Sequence, residues 1–293
     1  MQIAFHIGAN CTDEDRLLKS VLKNADVLLQ QGIAVPGPGR YRKLIREAIE
    51  SLDGATPTDH ARDVLLDAIV EDDKIKRLVL SNDNFVTIPK RIFDHGVFYH
   101  QAEKKTRGLH DLFPRDDISL FMGIRHPASF LQDTATRAGV GSLSQYLGLL
   151  SPLEMRWSDV IARIKRAAPQ TPLYVWCNED TPLIWEELIR LFSGVSPELP
   201  ITGQFDVLAT ILNPEGLQVL NSGIEAAASD DIEARQSLIA DVLEAHVLAD
   251  KVDDIIDLPG LDEPMVQAMS DNYEADLDLI GQMEGVELIL PFD

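Results

Sequence analysis

Short apolar runs recur along the chain, each closed by glycine, proline or a polar cluster. They are residues 2–7 (QIAFHI), 32–36 (GIAVP), 76–81 (KRLVLS), 118–124 (ISLFMGI), 172–177 (PLYVWC) and 286–290 (VELIL). Runs of this length, rich in branched and aromatic residues, read as strands buried on both faces. Between them apolar residues return at helical spacing over 12–31, 40–52, 59–70, 128–137, around 145, and over 154–167 and 181–192. The helix at 59–70 is expected to be capped by Thr58 or Asp59. Strands alternating with such helices predict an α/β fold: three αβα layers around a parallel central sheet. Two further helical patterns, 232–248 and 263–283, precede the last run, which is expected to return to an edge of the sheet. We therefore divide the chain into an α/β core over 1–203 and an acidic, mostly helical region over 204–293.

Parallel sheets present ligands beyond the carboxyl ends of their strands. The exits to inspect are residues 8–13, 81–84, 125–127 and 178–180. The first is the most informative, because a strand, a glycine-containing loop and a helix start form an anion cradle of backbone amides. Here the sequence at that point is Gly8-Ala9-Asn10-Cys11-Thr12-Asp13-Glu14-Asp15. Thr12 and Asp15 have the spacing of a capping box, with Asp13 and Glu14 in the first helical turn, where a carboxylate is stabilising by about 0.3–1 kcal/mol. The loop is then either filled by its own acids or open to an anion.

Charge sharpens that question. The formal net charge is −22, and residues 204–293 contain 21 acidic side chains against two basic ones, Arg235 and Lys251, so the front of the chain is near balance. Such a field disfavours nucleic acid and anionic membranes, which need clustered lysine and arginine. The acidic tail reads as a solvated surface through which a protein partner could dock. No stretch of eighteen apolar residues predicts a membrane span, and no signal peptide is legible. Two cysteines, Cys11 and Cys177, make neither a disulfide framework nor a structural zinc site, and a reducing cytoplasm is the expected compartment. No metal is expected. Asp253, Asp254, Asp257, Asp271, Asp276 and Asp278 lack the spacing of a calcium loop, so a solvated face is the expectation there. There is no G-x-x-x-x-G-K-[ST] loop and no G-x-S-x-G elbow.

Several motifs, in order, carry a resemblance. His6-Ile7-Gly8 followed by Thr12, Leu17 and Leu18 resembles the strand, phosphate loop and helix of the bacterial sulfotransferase-type P-loop family. Residues 32–36 resemble that family's second strand, and Ser81-Asn82-Asp83 its Ser-Ser-Glu strand exit. Arg125-His126-Pro127 resembles its Arg-x-Pro signature, and the stretch from Tyr273 to Pro291 its C-terminal helix and strand. The resemblance implies sulfuryl transfer from phosphoadenosine phosphosulfate (PAPS) to a hydroxyl-bearing small molecule or carbohydrate. It implies Gly8, Thr12 and Arg125 as cofactor-binding residues and Asp83 as the catalytic base.

The chain departs from that family where the donor would bind. Cys11 stands where the family has its loop lysine, Asp13-Glu14-Asp15 replaces Gly-Thr-Thr, and Asp133 replaces the serine eight residues after the signature arginine. Two like charges 4 Å apart repel by about 4 kcal/mol at an effective dielectric of 20. The alternative is a non-catalytic binding or scaffold protein that keeps the sulfotransferase fold. Other residues admit two readings. Asp83 could be a base or a turn cap, and His6 a catalytic or a core histidine. Arg40, Arg42 and Lys43 could receive an anionic acceptor or be ordinary helix-start charges. Cys11 could be activated by the helix start or suppressed by the acids around it. His95, His100 and His110 lack metal-ligand spacing.

Overall fold

A computed structural model describes residues 1–52, 55, 57–70, 74–226, 232–252 and 255–292. Six strands form one sheet: β1 (Gln2–His6), β2 (Ile33–Ala34), β3 (Arg77–Ser81), β4 (Asp117–Ile124), β5 (Leu173–Cys177) and β6 (Val286–Ile289). They are all parallel, in the order β2-β3-β1-β4-β5-β6. The helices are α1 (Arg16–Leu22), α2 (Ala25–Gln30), α3 (Arg42–Leu52), α4 (Asp59–Ile69), α5 (Ala102–Leu112), α6 (Pro127–Ala138), α7 (Leu143–Leu147) and α8 (Trp157–Ala167). After β5 come α9 (Thr181–Ser193), α10 (Leu208–Ile211), α11 (Pro214–Ala226), α12 (Ile232–His246), α13 (Ala249–Val252) and α14 (Glu263–Gly281). None of the described helices is long and apolar enough to cross a membrane.

Strand alternation splits the core into two layers. Ile3, Phe5 and Ile7 point to one face and pack with α3, α5, α6, α8 and α14. Ala4, Val79, Phe121 and Trp176 point to the other and pack with α1, α2 and α9. Both faces are covered, as an all-parallel sheet requires. The loop leaving β1 therefore leads to one face, while the loops leaving its neighbours β3 and β4 lead to helices on the other. That reversal opens a crevice at the carboxyl end of β1.

Residues 204–293 divide in two. Leu208, Ile211, Leu212, Leu220, Ile239 and Val242 make a small cluster of their own, with α12 beside α9. The last ninety residues end quite differently: α14 packs on α8 and α6, and β6 pairs with β5 as the edge strand. Asp276 of α14 is not on a solvated face. It is buried and accepts from the Ser158 amide at 3.1 Å and from the Ser158 hydroxyl, so it caps the start of α8. Asp253 and Asp254 lie outside the described residues.

The helix expected over 12–31 is two helices with a late start. Cys11, Glu14 and Asp15 have left-handed backbones (φ 57°, 50° and 65°), so regular helix begins only at Arg16. It breaks at Asn24, whose side-chain amide donates to Ser20 O (3.0 Å) and Thr202 O (2.9 Å), competing with the helical ladder. For α4, Thr58 is the cap, accepting from the Ala61 amide at 3.2 Å.

Candidate functional site: the strand exits

The loop after β1 is held from both sides. It continues the ladder to β4 through Gly123 N to Gly8 O (2.9 Å) and Ala9 N to Gly123 O (2.7 Å). Gly8 has φ +135°, and a Cβ there would sit 3.4 Å from Asp83 O, so the loops after β1 and β3 run in contact. Asn10, fully buried, joins them. Its Nδ2 donates to Asp83 O (2.9 Å), Asn84 Oδ1 (3.1 Å) and Thr87 O (3.2 Å). Its backbone N–H donates to the Tyr99 hydroxyl (3.0 Å), which in turn donates to Asn10 Oδ1 (2.8 Å). The amides of Ala9 and Asn10 thus already have protein acceptors.

Thr12 is not the helix cap. Its hydroxyl donates back to Ala9 O (2.8 Å). Asp13, buried, takes the capping position instead, accepting from Leu17 N (3.0 Å) and Asp15 N (3.3 Å). Asp15, expected as the partner in a capping box, turns away to Arg42, which donates to it through Nη2 (2.5 Å) and Nη1 (3.0 Å). Burial raises the Asp15 carboxyl's affinity for its proton, but the Arg42 fork outweighs that and holds its pKa below the ordinary value. Arg42 also donates through Nε to Ser81 O (2.9 Å), beside the buried Tyr41 hydroxyl, which donates to the same carbonyl (2.7 Å). Arg42 is therefore a clamp between the exits of β1 and β3, not a solvated helix-start charge.

Arg125, at the exit of β4, donates to Cys11 O (2.9 Å) and is ion-paired with Asp133 one helical segment on. The Arg125 side chain is 11% exposed and that of Asp133 46%, so the guanidinium is shielded while its partner carboxylate reaches solvent. The next residue, His126, caps α6: its Nδ1 accepts from Ala128 N (3.2 Å), and its Nε2 faces Ser270 Oγ of α14 at 2.9 Å. Its own amide donates to Glu179 Oε1 (2.8 Å) from the exit of β5.

Asp83 is half-buried, and its Oδ1 accepts from Asn84 Nδ2 (2.6 Å). Burial raises its pKa; the field of Arg137 opposes this, while Asp15 and Asp13 add to it. Cys11 is buried, and burial raises its thiol pKa despite the Arg137 guanidinium 3.9 Å from its Sγ. Arg137 also lies 3.9 Å from Glu14. His6 is a core residue, with Nδ1 2.9 Å from Ser81 Oγ and its ring stacked on Trp176. His95 and His100 are exposed with ring centres 4.6 Å apart. Among the described residues no group of three or more His, Cys, Asp or Glu side chains has the geometry to hold a metal ion.

The fold brings Gly8, Thr12, Asp83 and Arg125 to one end of the sheet, around the β1 crevice. Asn10 and Tyr99, which tie that end together, have no signal in the sequence, because the bonds of Asn10 reach 73–89 residues away. Arg137, missed in the sequence, is the basic residue in the last turn of α6, the helix that follows the Arg125 exit. Chemically, the exits interleave charges: Asp15 with Arg42, Asp133 with Arg125, Glu14 with Arg137. Asp83, with its raised pKa, lies at the same end of the sheet. Comparison with protein-family models, with curated proteins and with solved structures returns no match.

Proposed function

We propose that this chain is a sulfotransferase-like protein whose donor site is closed by its own carboxylates, and that it serves as a binding or scaffold protein. One observation carries this reading. Each position that would hold an anionic end of PAPS already has an acid on it, Asp13 on the first helical amides and Asp133 on Arg125. The seven-residue α1 adds little dipole of its own. With these contacts in place, the residues present do not fit PAPS.

A second reading is favoured by Arg137. Its guanidinium lies beside Cys11, where the related family has its lysine, and near Asp83, whose raised pKa suits a base. On that reading an anionic donor displaces Asp133 and Glu14 from their arginines, and Asp83 takes the proton of a hydroxyl acceptor.

Thermal unfolding with millimolar adenosine 3′,5′-bisphosphate separates the two. A ligand at one hundred times its Kd adds about 2.7 kcal/mol to stability. The closed-site reading expects no shift for the natural chain and a shift in Asp133→Ser, where Arg125 is released. A shift in the natural chain that disappears in Arg125→Ala would overturn it in favour of the second.

A further inference from the structure

The opposite end of the sheet holds a cavity of about 1050 Å³ between the strand starts, α9 and α12. Its floor is polar where the sheet's face is otherwise apolar. Gln2, Arg77, Ser119 and Tyr174 lie on the same face as Ala4, Val79, Phe121 and Trp176, but nearer the strand starts, where the helix layer stops. The opposite wall is mixed: Trp185, Leu191 and Ile239 give it an apolar part, and Glu186, Arg190 and Arg235 a charged one.

Arg77 is the unusual member of that floor. Its Nη2 donates to Leu191 O (3.2 Å) and Phe192 O (3.1 Å), the last carbonyls of α9, and its Nη1 to Gln2 Oε1 (3.1 Å). Its Nε is buried and has no acceptor. Gly194, with φ +73°, lies so close that a Cβ there would be 2.6 Å from that Nε. No carboxylate among the described residues pairs with this guanidinium, and burial lowers its pKa. A buried cation with only neutral partners is under-compensated. Of the five acids that line the cavity, Glu186 lies between Arg190 and Arg235 and Asp116 accepts from Arg62 at 2.5 and 2.6 Å, while Asp117, Glu187 and Glu198 are exposed and their charge is screened by solvent.

A cleft of several hundred to about 1,000 Å³ that combines apolar surface with a few fixed polar groups is the ordinary form of a small-molecule site. We propose that this cavity binds a small organic monocarboxylate, its apolar body under α9 and α12 and its carboxylate on Arg77. The proposal is independent of the strand-exit reading, since the two sites lie at opposite ends of the sheet.

Isothermal titration of the full chain with decanoate below its micellar concentration, with decanol as the uncharged probe, tests it. One decanoate per chain is expected, at least tenfold tighter than decanol. Arg77→Met should remove that tenfold preference and leave decanol binding unchanged, while Ile239→Trp, which fills the cavity, should weaken both. Should Arg77→Met fail to fold, Gln2→Glu keeps the guanidinium and sets a carboxylate beside it, and it too should weaken decanoate. Equal binding of the two probes, no effect of Gln2→Glu, or no saturable binding at millimolar decanoate would overturn the proposal. Adenosine 3′,5′-bisphosphate should leave the decanoate isotherm unchanged, whichever strand-exit reading holds.

Discussion

One arginine where the strands start is held differently from those where they finish. Where the strands finish, Arg42, Arg125 and Arg137 each face a carboxylate supplied by the chain, at 2.5 Å for Arg42 and 3.9 Å for Arg137. Where they start, Arg77 faces carbonyls and an amide oxygen alone. A guanidinium matched by a fixed carboxylate has little to gain from an incoming anion, which must displace that partner. One held by neutral dipoles keeps its full charge and has one N–H without an acceptor. Convention places ligands beyond the strand exits of an α/β sheet. In this molecule Arg77, which no carboxylate among the described residues pairs with, lies at the other end.

The largest expected effect comes from untying the exits. Asn10→Ala removes the amide that joins the loops after β1 and β3, leaving Tyr99 and the Asp83 and Thr87 carbonyls short of a partner. We expect a loss of about 3 kcal/mol or more in denaturant unfolding, since each buried unpaired polar group costs about 1–3 kcal/mol. A loss below about 1 kcal/mol would mean that this end is loosely tied and able to open. At the other end, Gly194→Ala combines a left-handed backbone with a clash on Arg77. About 1–2 kcal/mol is expected there from the backbone alone, in the same measurement. The smallest effect sharpens the electrostatic side. Asp83 has a raised pKa in the folded chain, so its contribution is fully present below its unfolded pKa and is lost as pH rises through the folded value. Asp83→Asn should therefore be more stable than the natural chain at pH 7, with the difference closing as pH falls to the ordinary carboxylate range. A constant difference across that range would show that charge is not its source.

The α/β layering was legible because the strands are short, mostly apolar runs and the helices between them keep their spacing. The edge place of β6 was legible too, from a short run after a long helix. The start of α1 was not, because periodicity continues back to Thr12 while the backbone is set by distant partners, Arg42 on Asp15 above all. Residues 8, 12, 83 and 125 were correctly read as strand exits, and the adverse charge of Asp133 follows directly from its spacing after Arg125. What Thr12 and Asp15 do was not legible: hydrogen bonds of Asp13 and Asp15 choose among several equivalent acids, and sequence alone does not rank them. Asn10 shows the limit most clearly, as a single residue with no periodic neighbours and with partners on two other segments. Arg77 was passed over because it begins a strand, where a charged residue reads as an edge of the sheet's apolar zone.

The late return of β6 to the sheet has a consequence for handling the protein. Its parallel pairing with β5, in register from Leu173–Val286 to Trp176–Ile289, covers that edge of β5. A chain cut short after α14 would leave the β5 backbone, with Tyr174 and Trp176, as an open template for any extended peptide. Truncations from the C-terminal end should then self-associate, and fusions placed there need a spacer long enough to leave the last strand seated.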